Sequence, residues 1–164
     1  IRAAMTGHFV VSTLHTNSAI GAIARLVDLD LQPYLISSTL VGVMAQRLVR
    51  TLCTNCRLEV IPDAAAWQEL VQPMTVSIPE VIYQPGGCLE CRNTGYSGRQ
   101  GVYEIMPLSK PLLAEISGHG DIQSIREVAG KLGVNTLRLA GAEKVAAGIT
   151  SIAEVMRVTP ESGR

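Results

Sequence analysis

The only cysteines of this chain stand in two Cys-x-x-Cys pairs, Cys53/Cys56 and Cys88/Cys91. A gap of two residues lets both thiolates of a pair curl onto one small cation. Two such pairs complete a closed tetrahedron of the kind that holds structural zinc. The 31 residues between Cys56 and Cys88 are more than a minimal ribbon needs, so the metal is expected to pin a small subdomain. A closed four-sulfur site leaves no open position for water, so it staples a fold and does not act as a Lewis acid. Arg57 and Arg92, each directly after the second cysteine of a pair, could offset the excess negative charge of four thiolates. Two disulfides, or four unrelated thiols, are the alternatives. Disulfides need an oxidising compartment, and nothing in the sequence signals export.

The charge balance narrows the function classes. Fourteen Lys and Arg against 14 Asp and Glu give a formal net charge of zero, and aromatic residues make up 4%. A neutral chain lacks the electrostatic grip that nucleic acid or anionic lipid requires, and scarce aromatics argue against base-stacking platforms. No apolar run reaches the roughly 18–20 residues of a bilayer span. The longest, Leu35 to Val49, is broken by Ser37, Ser38, Thr39, Gln46 and Arg47. The expectation is a soluble protein in a reducing, cytosolic setting. Ile1–Met5 reads as the last turns of a helix stopped by Gly7, without an initiating methionine or a cap, so the chain is expected to begin inside a larger domain.

Periodicity places the elements. Phe9–Leu14 is a short apolar run that reads as a buried strand, with His15-Thr16-Asn17 at its carboxyl end. Asn17 or Ser18 caps a helix from about Ala19 to Asp28. Pro33 opens a second helix, expected to continue to Ala45, and Arg47–Leu52 alternates as a strand leading into Cys53. A short helix over Ala64–Val71 carries Trp67 as its anchor, and Val81–Tyr83 is a strand approaching Cys88. Gly86, Gly87, Gly95, Gly98 and Gly101 supply tight turns around the second pair. Val102–Met106 is a strand. Helices then open at Pro111, Asp121, Asn135 or Thr136, and Ser151, the last with Glu154 three residues on as a capping-box pair. Glu161–Arg164 reads as a frayed tail. Three zones follow: residues 1–52, an α/β piece; residues 53–100, a metal subdomain; and residues 101–164, mostly helical.

Four collinear segments resemble the secretion ATPase superfamily, the motors of type II secretion and type IV pilus assembly (general secretion pathway protein E-like). Met5-Thr6-Gly7-His8-Phe9-Val10-Val11-Ser12-Thr13-Leu14-His15-Thr16-Asn17 resembles the family's histidine box. Ala45–Cys53 is similar to the segment leading into its tetracysteine motif. Gly87–Cys91 with Gly95–Arg99 resembles the second half of that motif. Gly148–Ser151, Glu154-Val155 and Arg157–Thr159 are similar to its C-terminal signature.

The resemblance implies part of a RecA-like P-loop NTPase core (α/β), a tetracysteine zinc subdomain and a C-terminal helical region. It implies His15 and His8 as catalytic-site histidines, His15 placed where a side chain can reach a γ-phosphate or the attacking water. Cys53, Cys56, Cys88 and Cys91 are then the ligands of a structural Zn2+. ATP and Mg2+ would be bound by the intact protein as a cytoplasmic homo-hexamer, peripheral to the inner membrane and moving a membrane platform. Nucleic acid is not an expected partner. The family's Walker A loop, aspartate box and Walker B segment have no counterpart here, since no Gly-x-x-x-x-Gly-Lys-Ser/Thr occurs. The chain is expected to be the C-terminal part of such a motor, inactive alone. From the residues alone Arg25, Arg47 and Arg50 could reach an anion or lie on a salt-bridged face. A zinc-ribbon module that binds protein or nucleic acid remains the alternative function, and a metal site that only staples the fold the bland one.

Overall fold

The computed structural model describes residues 1–118 and 121–160; the expectation for Glu161–Arg164 lies outside them. The fold is mixed α/β with two small sheets, one pairing β1 (Gly42–Leu52) with β4 (Tyr96–Pro107), the other β2 (Leu58–Val60) with β3 (Ile82–Gln84). Among the described residues no helix is long and apolar enough to cross a membrane. The chain folds as two compact units. One joins Ile1–Ala45 to Glu104–Asn135; the other joins Gln46–Tyr103 to the segment from Thr136 onward.

The first unit holds α1 (Arg2–Met5), α2 (Ala19–Asp28), α3 (Pro33–Thr39), α5 (Lys110–Ser117) and α6 (Ile122–Lys131). Ser18 caps α2 by accepting from Gly21 N at 3.0 Å, and Asp121 caps α6 by accepting from Ser124 N at 2.7 Å. Helical spacing turns Ala19, Ile20 and Ile23 inward, where they meet Ile36, Leu112, Ile116, Ile125, Ala129 and Met106 of β4. Met106 shares this buried face with Glu104. The Glu104 carboxylate accepts from the Ala19 backbone N–H at 2.8 Å, so a strand residue 85 positions away helps to satisfy the first turn of α2.

Two expectations fail here. The helix opened by Pro33 stops at Thr39 and does not reach Ala45. The hydroxyls of Ser37, Ser38 and Thr39 all donate back to carbonyls of the preceding turn, at Tyr34 and Leu35. Leu40 then turns extended (ψ 125°), and the β-branched Val41 and Val43 favour the strand that follows. The run Phe9–Leu14 is neither strand nor buried: residues 8–16 carry no regular structure, and Phe9 and Val11 are 86% and 80% exposed. A strand is defined by its neighbours, and no described strand of this chain runs beside this one.

The second unit holds α4 (Ala64–Val71), α7 (Leu137–Ala146) and α8 (Ile152–Val158) with the small sheets' remaining strands. β2 and β3 are antiparallel, with Leu58 opposite Gln84 and Val60 opposite Ile82. Asp63, Thr136 and Ser151 cap the three helices by accepting from Ala65, Leu139 and Glu154 N–H groups. Trp67, Leu70 and Val71 of α4 are buried, as are Val145 of α7 and Val155 of α8, and α4, α7 and α8 pack against one another. The Trp67 indole N–H donates to Val76 O at 3.2 Å, which gives its polar edge a partner inside an apolar setting.

Candidate metal centre and histidine segment

β1 delivers Cys53 and β4 leaves just after Cys91, so two short knuckles meet. In the first, Cys56 N and Arg57 N both donate to Cys53 O, at 3.3 and 2.9 Å. In the second, Asn93 N donates to Cys88 O at 2.8 Å and Thr94 N to Cys91 O at 3.1 Å. Cys53 N donates to Gly95 O at 2.9 Å and ties the knuckles together. They also touch at backbone level, since a Cβ at Gly86 would overlap the Cys56 carbonyl oxygen; only glycine fits there.

All four sulfurs lie within 4.8 Å of one another. Three separations are 3.9 Å (Cys53–Cys88), 3.7 Å (Cys56–Cys91) and 3.7 Å (Cys88–Cys91). A tetrahedron with sulfur about 2.3 Å from a central zinc has edges of about 3.8 Å. The four residues therefore form a cluster that could hold a metal ion, and the donor set and spacing fit zinc. All four are free thiols, so the disulfide alternative is not the arrangement found. Their proton affinities diverge. Burial, reinforced by the neighbouring thiols, pushes Cys56 up to about 12. Burial acts in the same direction on Cys91, but backbone N–H groups of Cys88 and Gly95, donating at 3.4 and 3.2 Å, outweigh it and bring that thiol down to about 6.

The arginines go elsewhere. Arg57 donates to Gly148 O at 2.7 Å and stacks over Tyr83, 4.3 Å from the ring centroid. Arg92 lies exposed on a turn with φ 54°. Arg50 is salt-bridged: its Nη2 lies 2.7 Å from Glu154 Oε2, with the guanidinium 4.0 Å over the Tyr96 ring. Arg25 is exposed on α2, and Arg47 donates to Gln46 O at 3.2 Å.

His8 is exposed, its Nδ1 2.9 Å from Thr6 Oγ1 and 3.2 Å from Ala3 O. His15 is exposed and makes no hydrogen bond among the described residues; Thr16 beside it is half-buried, its hydroxyl donating to Ser18 O at 3.2 Å. Both histidines sit on the segment that enters α2, whose first turn Glu104 holds.

The residue that sequence reasoning undervalued is Glu154. Ser151 does cap α8, but the reciprocal half of the capping box is missing. The Glu154 carboxylate turns away from the helix start. It accepts from Arg50 N (3.0 Å), Arg50 Nε (3.0 Å) and Nη2 (2.7 Å), and from Arg157 Nε (2.9 Å) and Nη2 (2.7 Å). Its side chain is 0% exposed. A carboxylate between two arginines was visible locally at Arg157, three residues on, but not at Arg50, 104 positions away.

The profile of the type II/IV secretion system protein family matches residues 1–157. The type IV pilus assembly ATPase TfpB of Acinetobacter baylyi is 48% identical over 160 residues, covering 98% of this chain and 27% of that protein. Type II secretion system protein E of Dickeya dadantii is 42% identical over 162 residues (98% and 31%). Type II secretion system ATPase E of Vibrio cholerae is 41% identical over 162 residues (99% and 32%). The chain thus spans less than a third of the length of these curated relatives.

Proposed function

The chain belongs to the type II/IV secretion system protein family, and from that premise we propose that it is the C-terminal part of a motor that hydrolyses ATP to drive type II secretion or type IV pilus assembly. The observation that carries this reading is the match of 98% of the chain, at 48% identity, to a relative named as a pilus assembly ATPase. In this reading the Phe9–Leu14 run completes a RecA-like sheet whose other strands come from outside these residues, which accounts for its exposed apolar side chains. His15 then stands at the carboxyl end of a strand, where ligands of such sheets sit. Its free imidazole is available to a γ-phosphate oxygen or to the attacking water. Phosphoryl transfer depends chiefly on positioning and charge stabilisation, and an exposed donor at that point supplies both. His8, held by Thr6 and Ala3, shapes the same segment. ATP and Mg2+ would be gripped mainly by a Walker A loop and a Walker B segment that these 164 residues lack.

Cys53, Cys56, Cys88 and Cys91 hold a structural Zn2+ that supplies folding energy to the second unit. The intact protein works as a homo-hexamer in the cytoplasm, peripheral to the inner membrane, and moves a membrane platform; nucleic acid is not among its partners. The test compares magnesium-dependent ATP turnover by the 164-residue chain with turnover by the same chain joined to the upstream segment of its relatives. The chain alone is expected to be inactive. The joined protein is expected to turn over and to lose about 100-fold or more on His15→Ala. Turnover by the 164 residues themselves, or undiminished turnover by the joined His15→Ala protein, overturns the reading.

A further inference from the structure

Four consecutive residues between α7 and α8 each bond to the cysteine knuckles or to the strand ends that carry them. Gly148 O accepts from Arg57, the residue after Cys56, at 2.7 Å. Ile149 O accepts from the backbone N–H of Leu52, the residue before Cys53, at 2.8 Å. The Thr150 hydroxyl donates to Arg50 O at 2.8 Å. The Ser151 hydroxyl lies 2.7 Å from that of Tyr96, whose neighbour Gly95 donates its N–H to Cys91 Sγ. The first knuckle is therefore held on both sides, and the second through Tyr96. Ser151 at the same time caps α8, and Glu154 one turn later binds Arg50. Thr150 and Ser151 are themselves buried, so these bonds are shielded from competing water. Gly148 has φ +69°, and a Cβ there would press on the Tyr83 ring at 2.8 Å and on Arg57 Nη1 at 3.2 Å. The segment is shaped to lie against the stacked Arg57–Tyr83 pair.

We propose that Gly148–Ser151 is a clasp whose closure and metal binding are coupled: Arg57 and Tyr96 are positioning residues for the four-cysteine site, and occupancy of that site orders the α7–α8 junction. The inference rests on the reading of the cysteines as metal ligands. Partners bonded directly to metal ligands typically contribute about 10–100-fold to affinity; Arg57 and Tyr96 act one contact further out, through the backbone beside the cysteines, so their effect falls at or below the lower end of that range. Coupling is reciprocal, so whatever factor the closed clasp adds to metal affinity, the metal adds to clasp closure. None of the clasp residues ligates, which separates this role from that of the cysteines.

The experiment uses the 164-residue chain. Zinc affinity is measured by competition with a chromophoric chelator, and hydrogen exchange is followed in the zinc-loaded and zinc-stripped protein. Arg57→Met is expected to weaken zinc binding by about three- to tenfold, Arg57→Lys less because a donor is kept, and Tyr96→Phe by about two- to threefold. Stripping zinc is expected to raise exchange at residues 144–157 together with the knuckles. Leu112→Ala, which empties a buried position in the first unit, is expected to leave zinc affinity unchanged. The proposal is overturned if Arg57→Met and Tyr96→Phe bind zinc as the parent does, or if Leu112→Ala weakens binding equally. It is also overturned if 144–157 exchanges alike in both forms. Should Arg57→Met not fold, Tyr96→Phe and the exchange data decide. A parent chain that takes up no zinc refutes the metal reading itself, an outcome distinct from these.

Discussion

Replacing Glu154 by Gln keeps the side chain's volume and removes one charge, and its effect can be worked from the contacts. The carboxylate has five hydrogen bonds from two arginines and no solvent exposure. Burial raises its proton affinity, yet the bonds from Arg157 and Arg50 more than reverse this and hold it at about 2, against an ordinary 4.5. At about 1.4 kcal/mol per pH unit, the folded state gains about 3 kcal/mol from keeping Glu154 ionised. A carboxyl group depressed in this way contributes its full stabilisation above the unfolded value. It loses that contribution as pH falls from about 4.5 towards 2. The arginine side chains are 43% and 59% exposed and can turn to water when the charge is gone. The cost of Glu154→Gln therefore falls at or below the lower end of the roughly 3–5 kcal/mol seen for broken buried pairs: about 2–3 kcal/mol. The assay is urea unfolding of the zinc-loaded chain, followed by the emission of Trp67, the only tryptophan and buried in the same unit. The difference between parent and variant should be the same at about pH 8 and about pH 5.5, because both lie above the titration window. A difference below about 1 kcal/mol near neutral pH, or one that changes between those two conditions, refutes the argument.

Gly141→Ala should destabilise the second unit by about 1–3 kcal/mol, because its Cβ would overlap Val155 Cγ1 where α7 meets α8; the double variant with Val155→Ala should recover part of the loss in the same urea assay. Glu104→Ala should cost the first unit about 1–3 kcal/mol by leaving the Ala19 N–H unpaired in a buried setting. Faster hydrogen exchange in the first turn of α2 reads this directly, and Glu104→Gln, which keeps an acceptor, should cost less.

What could be read from sequence was the chemistry confined to a few neighbouring residues. Ser18, Asp121, Thr136 and Ser151 cap helices through bonds to N–H groups three positions on, and the spacing of the cysteines carried their convergence. The helices over Ala19–Asp28 and Ala64–Val71 have the bounds that periodicity set. Pairing across the chain was not legible. The three-residue strand Leu58–Val60 has no pattern of its own and exists because Ile82–Gln84 lies beside it. Leu40, Val43 and Met44 carry apolar spacing compatible with a helix, but from Gly42 on the chain lies beside β4 and is strand. Phe9–Leu14 fails in the opposite sense, having strand composition and no described neighbour. Glu154 read as a capping acid and Glu104 as one more strand residue, because the Arg50 and Ala19 groups they bind lie 104 and 85 positions away.

The close approach at Gly86 decides whether the two cysteine pairs can meet at all. Any side chain at that position would run into Cys56 O, so the stretch leading into Cys88 comes alongside Cys53 and Cys56 only while its main chain stays bare there. Convergence of the four sulfurs thus hangs on a residue that contributes no sulfur.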